Sequence, residues 1–316
     1  VKPVAERLKV LITAPYVVPI VDRFLDRFEA EGIEVIIHEV AERAGEEELL
    51  EIIGEIDGVI CGDDAFTRRV LEKAGRLKVI SKWGTGIDSI DQEACAERGV
   101  VVHSTPDAFS KPVADSVLGY TLIFARRLSE MDLEMKGGGW RKIPGVSLSE
   151  WTFGIVGVGK IGSQVARRVA SFGAKLLGND IKEIPAELLD ATGMKSVGLE
   201  ELLGKSDIVS LNCDLNPTSY HLIDREKLSL MKPGAYLINT SRGHVVAEDY
   251  LIEALMEGRL AGAALDVYEE EPLPEESPLR RLDNVLLAPH NANSSPSAWE
   301  FVHENTVDNL LRELRG

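Results

Sequence analysis

The stretch Phe153-Gly154-Ile155-Val156-Gly157-Val158-Gly159-Lys160-Ile161-Gly162 carries the strongest structural signal in this chain. An apolar β-branched run enters a turn with three spaced glycines, and an amphipathic helix is expected from Gln164 to Phe172. In a strand–turn–helix of this kind the first glycine permits the tight turn, the second lets a pyrophosphate approach the backbone, and the third lets helix and strand pack closely. Amide N–H groups at the helix start then face the anion. The next apolar run ends at Asn179-Asp180, and Asp180 lies about 18 residues past Gly162. A carboxylate there accepts from ribose hydroxyls and repels a 2′-phosphate, which favours NAD over NADP.

Working outward, short apolar runs recur with helical stretches between them. Before the glycine turn they are Val10-Leu11-Ile12, Val35-Ile36-Ile37, Gly58-Val59-Ile60, Val79-Ile80 and Val100-Val101-Val102. After it come Lys175-Leu176-Leu177, Ile208-Val209-Ser210-Leu211, Tyr236-Leu237-Ile238, Ala263-Ala264-Leu265 and Val285-Leu286-Leu287. Their continuous apolarity fits strands buried on both faces of parallel sheets. Two such series imply an α/β chain with two sheets, and 316 residues suit two domains. The spacing also predicts one long helix from Pro112 to Met131, broken by Lys136-Gly137-Gly138-Gly139, and a last amphipathic helix from Ser297 to Leu314.

Charge narrows the function. Lys and Arg total 35 against 52 Asp and Glu, a formal net charge of −17. A surface this acidic repels phosphate backbones and anionic lipid, which argues against nucleic-acid and membrane partners. No apolar run reaches the length of a membrane span, and the first residues lack the apolar core of a secretory signal. Cys61, Cys95 and Cys213 are scattered and show no metal-ligand spacing, so a reduced, cytoplasmic protein without a bound metal is expected.

Three polar elements follow strands of the second series. Asn239-Thr240-Ser241-Arg242-Gly243 comes after Tyr236-Leu237-Ile238. Asp266-Val267-Tyr268-Glu269-Glu270-Glu271-Pro272 comes after Ala263-Ala264-Leu265, and Ala288-Pro289-His290 after Val285-Leu286-Leu287. Ligands of open parallel sheets bind at the carboxyl ends of the strands, so an arginine, a carboxylate and a histidine can converge there. A guanidinium grips a substrate carboxylate and polarises the adjacent carbonyl. An imidazole near neutral pKa exchanges the hydroxyl proton, and a neighbouring carboxylate orients it. That is the set needed for hydride chemistry on a 2-hydroxy acid.

With Gly84-Thr85-Gly86-Ile87-Asp88, the glycine turn, Asn239 to Gly243, Asp266-Val267 through Glu271-Pro272, and Pro289-His290, the chain resembles the D-isomer-specific 2-hydroxyacid dehydrogenase family, close to its phosphoglycerate dehydrogenase branch. The resemblance implies two Rossmann-like domains. A nucleotide-binding domain (105–290) would be inserted into a discontinuous substrate domain (1–104 and 291–316), with an active site in the cleft between them. It also implies a homodimer formed mainly through the nucleotide domains. Arg242 would bind the substrate carboxylate and carbonyl, His290 would be the acid/base, and Glu271 its partner. The cofactor-binding set would be Gly157, Gly159, Lys160, Ile161, Gly162, Asp180, Thr240 and Asp266, the last holding the nicotinamide carboxamide. Lys82, Trp83, Gly84 and Thr85 would lie along the substrate, with backbone amides toward its carboxylate.

The chain departs from the family pattern on the substrate side. It has Ala108-Phe109 and Ala114-Asp115 where the family usually shows Gly-Asn and Ala-Glu, and Asn291-Ala292-Asn293 after the histidine. Cys61-Gly62-Asp63-Asp64 stands where phosphoglycerate-using relatives tend to carry a base, and two aspartates would repel a phosphate. The expected activity is therefore NAD-dependent interconversion of a D-2-hydroxy acid and its 2-keto acid. The alternatives to a phosphoglycerate substrate are glyoxylate or hydroxypyruvate reduction and a non-catalytic NAD(H)-sensing role. Formate-type oxidation is disfavoured, because that branch has Gln in place of Glu271.

Overall fold

A computed structural model describes residues 7–315. The chain forms two compact units, one from residues up to Phe109 together with Ser295 onward, the other from Ser110 to Ser294. Their limits lie a few residues beyond the expected 104/105 and 290/291, because β5 is followed by a turn that ends at the Ser110 helix.

In the unit built from both chain ends the strands are β1 (Leu8–Ile12), β2 (Ile33–Ile37), β3 (Gly58–Cys61), β4 (Val79–Lys82) and β5 (Val101–His103). They form one parallel sheet of order β2-β1-β3-β4-β5. Leu11, Val59 and Ile80 are fully buried against Phe66, Val70 and Leu71, as expected for strands covered on both faces. The C-terminal helix Pro296–Arg315 covers the β3–β4 side. A Cβ on Gly58 would stand 3.0 Å from Leu310 Cδ1, so glycine is what lets this helix lie so close. Ser81 Oγ donates to the Thr306 carbonyl at 2.7 Å and fixes the helix's register.

In the central unit the strands are β6 (Thr152–Val156), β7 (Lys175–Asn179), β8 (Lys195–Ser196), β9 (Ile208–Leu211), β10 (Tyr236–Asn239), β11 (Gly262–Leu265) and β12 (Val285–Leu287). All neighbours are parallel, in the order β12-β11-β10-β9-β6-β7-β8. One core lies around Leu202, Val209, Leu237 and Leu251, the other around Phe153, Val165, Ile208 and Ile238. The expected single helix from 112 to 131 is two: Ser110–Arg126 and Leu128–Lys136, separated at Arg127, whose φ of 53° is left-handed. No glycine or proline marks the break, so the sequence alone joined the two.

Both sheets carry the same staple at their amino edge. Asp57, just before β3, donates its N–H to the Lys9 carbonyl and accepts Lys9 N–H on its carboxylate, at 2.8 and 2.9 Å. Asp207, just before β9, does the same with Thr152, at 2.8 Å for each bond. Each carboxylate also meets a cation, Arg76 at 3.1 Å in one sheet and Lys232 in the other.

Candidate active site

The glycine turn lies at the carboxyl end of β6, beside β9 where the strand order reverses, the position at which such sheets bind ligands. Gly157 has φ 82°, and a Cβ there would lie 2.6 Å from Cys213 N. A Cβ on Gly162 would lie 2.1 Å from the Gly157 carbonyl oxygen, so the helix Lys160–Ser171 can start only with glycine at that position. Gly159 differs: nothing lies within 4 Å of its virtual Cβ, so its bare backbone faces open space at the helix N-terminus. Lys160 is exposed and Ile161 partly buried in the first turn. Asp180, one residue past β7, accepts the Val158 amide at 2.6 Å and the Lys182 amide at 2.8 Å, tying the turn to the neighbouring strand end.

Three adjacent strands deliver the polar set. Arg242 follows β10, Glu271 follows β11 and His290 follows β12. His290 Nδ1 lies 3.1 Å from Glu271 Oε2, with side chains 20% and 13% exposed. The other Glu271 oxygen accepts the Tyr268 amide at 3.0 Å, which fixes the carboxylate's direction, and Glu271–Pro272 is cis. His290 is left-handed, φ 50°, a conformation a non-glycine residue adopts only when its surroundings impose it.

Asp266 imposes it. Its carbonyl accepts His290 N–H at 2.8 Å, and its two carboxylate oxygens accept Asn291 N–H at 2.8 Å and Ala292 N–H at 2.9 Å. Burial pushes this carboxyl upward, while the two amides and nearby His290 counteract the shift. The family resemblance implied a cofactor contact for Asp266; in this structure its carboxylate also clamps the histidine loop. Nothing in the spacing of these residues points to that role, since it depends on β11 and β12 being neighbours.

Arg242 is partly buried, and its Nη1 donates to the Ser241 carbonyl at 2.9 Å. Thr240, at the end of β10, is buried and its Oγ1 has no hydrogen-bond partner among the described residues. An orphaned buried hydroxyl beside the strand ends, together with the bare Gly159 backbone, fits a dinucleotide held along this edge. Cys213, close to Gly157, is held by burial as a neutral thiol, its pKa pushed up to about 11. It is therefore no nucleophile at neutral pH.

In the other unit the loop after β4 carries the expected substrate contacts. Gly84 has φ 128°, its carbonyl accepts Thr105 N–H at 2.8 Å, and Thr85 is exposed. Trp83 is buried, stacked on Tyr16 at 4.7 Å, and its Nε1–H donates to His303 Nδ1 at 3.0 Å. Lys82 differs from an open anion contact. It is 4% exposed, and its ammonium meets Asp63 Oδ1 at 3.2 Å and donates to the Trp83 carbonyl at 3.1 Å. Asp64 is buried as well, accepting from Thr13 and the Ala44 amide. The nearby Arg68 and Arg69 are paired with Glu97 and with Glu46 and Glu47.

The fold and this strand-end set define an NAD-binding α/β oxidoreductase scaffold. The sequence profile of the "D-isomer specific 2-hydroxyacid dehydrogenase, NAD binding domain" matches residues 118–292. The chain is 40% identical over 294 residues to a glyoxylate reductase of Thermofilum pendens, covering 90% of this chain and 87% of that one. It is 39% identical over 282 residues to a D-3-phosphoglycerate dehydrogenase of Methanocaldococcus jannaschii, covering 88% of this chain but only 53% of that longer relative. Among solved structures, the D-lactate dehydrogenase of Aquifex aeolicus complexed with NAD and lactic acid superimposes with a TM-score of 0.86 at 28% identity, covering 97% of this chain and 96% of that one. The chain belongs to the D-isomer specific 2-hydroxyacid dehydrogenase family, and its cofactor is NAD.

Proposed function

We propose that this protein is a reductase of small, unphosphorylated 2-keto acids, of the glyoxylate or hydroxypyruvate kind, that forms the D-2-hydroxy acid. The observation that carries the chemistry is the contact of His290 Nδ1 with Glu271 at 3.1 Å. It leaves Nε2 as the nitrogen that exchanges a proton with substrate, and the carboxylate favours the protonated ring that reduction requires. Bound NADH supplies the hydride. Arg242 holds the substrate carboxylate and draws charge toward the carbonyl oxygen, and His290 delivers the proton to that oxygen. Thr240 and the amides that start the helix Lys160–Ser171 hold the dinucleotide, and Asp180 stands at the ribose.

The substrate class rests on Lys82. A phosphorylated side chain would need an available cation, yet this ammonium is paired with Asp63 and the neighbouring arginines with glutamates. The glyoxylate reductase relative supports the same choice. Oxidation of NADH with glyoxylate, hydroxypyruvate, 2-oxoglutarate and 3-phosphohydroxypyruvate tests it. Glyoxylate or hydroxypyruvate should exceed the phosphorylated acid in kcat/KM by about tenfold or more. Preference for 3-phosphohydroxypyruvate would return the protein to the phosphoglycerate branch, and tight NADH binding without turnover would make it a sensor.

We also propose a homodimer through the central unit. Leu128, Leu133 and Met135 on the helix Leu128–Lys136 and Trp140 just beyond it are 46%, 69%, 51% and 83% exposed. Apolar side chains this open and this close in sequence suit burial against a second copy.

A further inference from the structure

The loop after β9 brings a second imidazole toward the turn that carries Glu271. His221 is left-handed, φ 47°, and its N–H donates to the His244 carbonyl at 2.7 Å. Its ring stacks on Tyr220 at 4.2 Å between centroids, and its Nε2 lies 2.7 Å from Glu269 Oε1. The same Glu269 oxygen accepts the Glu248 amide at 3.2 Å, and Glu269 N–H donates to Glu248 Oε2 at 3.2 Å. Gly243 also presses on the turn, so closely that a Cβ would lie 2.4 Å from Glu269 N. Two residues beyond Glu269, Glu271 meets His290.

We propose that His221 is a positioning residue that acts through Glu269 to fix the 268–271 turn, and with it the direction from which Glu271 meets His290. This rests on the acid/base role given to His290 above. The turn needs such an anchor because Glu248, Asp249, Glu269 and Glu271 crowd together; Glu248 is lifted above the usual carboxylate range by burial, with its three acidic neighbours adding to the shift. Mutual repulsion tends to open a turn of this composition. The groups facing His221 are Glu269, His244 and Tyr220, and of these Glu269 is the hydrogen-bonding acid.

The test compares wild type with His221→Ala and His221→Gln in the pH profile of kcat/KM for keto-acid reduction. NADH affinity is measured alongside, and the His290 imidazole is titrated by NMR, its resonance assigned by loss in His290→Gln. In His221→Ala the basic limb of the profile and the His290 midpoint should both move to lower pH, by about half a unit or more. NADH affinity should stay within about twofold. His221→Gln, whose amide can still donate to Glu269, should restore both. If the alanine variant does not fold, His221→Phe keeps the ring on Tyr220, lacks the donor and should show the same shift. A profile and a His290 midpoint that superimpose on wild type, even with reduced kcat, overturn the proposal. A midpoint that moves in a protein that reduces no keto acid upholds the positioning role and instead sinks the reductase assignment.

Discussion

The chemistry at the residue scale reduces to an imidazole held in a backbone conformation that suits glycine better. His290 stays left-handed because Asp266 collects three consecutive amides, those of His290, Asn291 and Ala292. His290→Gln leaves this backbone clamp in place and removes only the proton carrier. Turnover in either direction should fall by about 100- to 10,000-fold, with NADH affinity nearly unchanged. Stopped-flow turnover and fluorescence titration of NADH check this, and near-wild-type turnover would displace His290 from the mechanism. Arg242, Glu271 and His290 could be picked out as candidates in the sequence because each lies in the loop that follows an apolar run that has to be a strand. Asp266's clamp, the Lys82–Asp63 pair and the His221–Glu269 contact could not. Each joins residues on different strand ends, and which ends become neighbours is decided by the sheet order.

Among the elements, the apolar runs located the strands well, because continuous burial on both faces leaves little room for polar residues. The two-residue strand β8, Lys195–Ser196, escaped because it is exposed and has no apolar content. The break at Arg127 escaped for a different reason. Arg127 is not a glycine, and no residue type there announces a left-handed φ. The helix that follows keeps its apolar residues outside any core of its own chain, since none of its residues is buried. If the proposed homodimer forms through this helix, Leu133→Asp should leave the protein monomeric at micromolar concentration without lowering the thermal midpoint of the central unit. Light scattering reads the first and calorimetry the second. A variant that remains dimeric would place the interface elsewhere.

For the molecule as a whole, one source of acid sensitivity is a buried ring. His303 accepts Trp83 Nε1–H at Nδ1, so its neutral form is the bonded one, and burial lowers its pKa from 6.5. The unfolded chain therefore takes up this proton first as pH falls. Its contribution to stability is complete above about pH 6.5 and is lost below it. The melting temperature should drop between pH 7 and pH 5, and drop less in His303→Asn. Equal slopes for the two proteins would exclude His303 as the source.

The paired aspartate staples, Asp57 on Lys9 and Asp207 on Thr152, lie at the edges of the sheets opposite the reactive loops. Each sheet thus has a fastened amino end, and in the central unit the opposite, carboxyl end carries the reagents Arg242, Glu271 and His290. Selection can revise the reagent end for a new acid while the fastening end continues to hold the strands in register, so durability and specificity are free to drift apart.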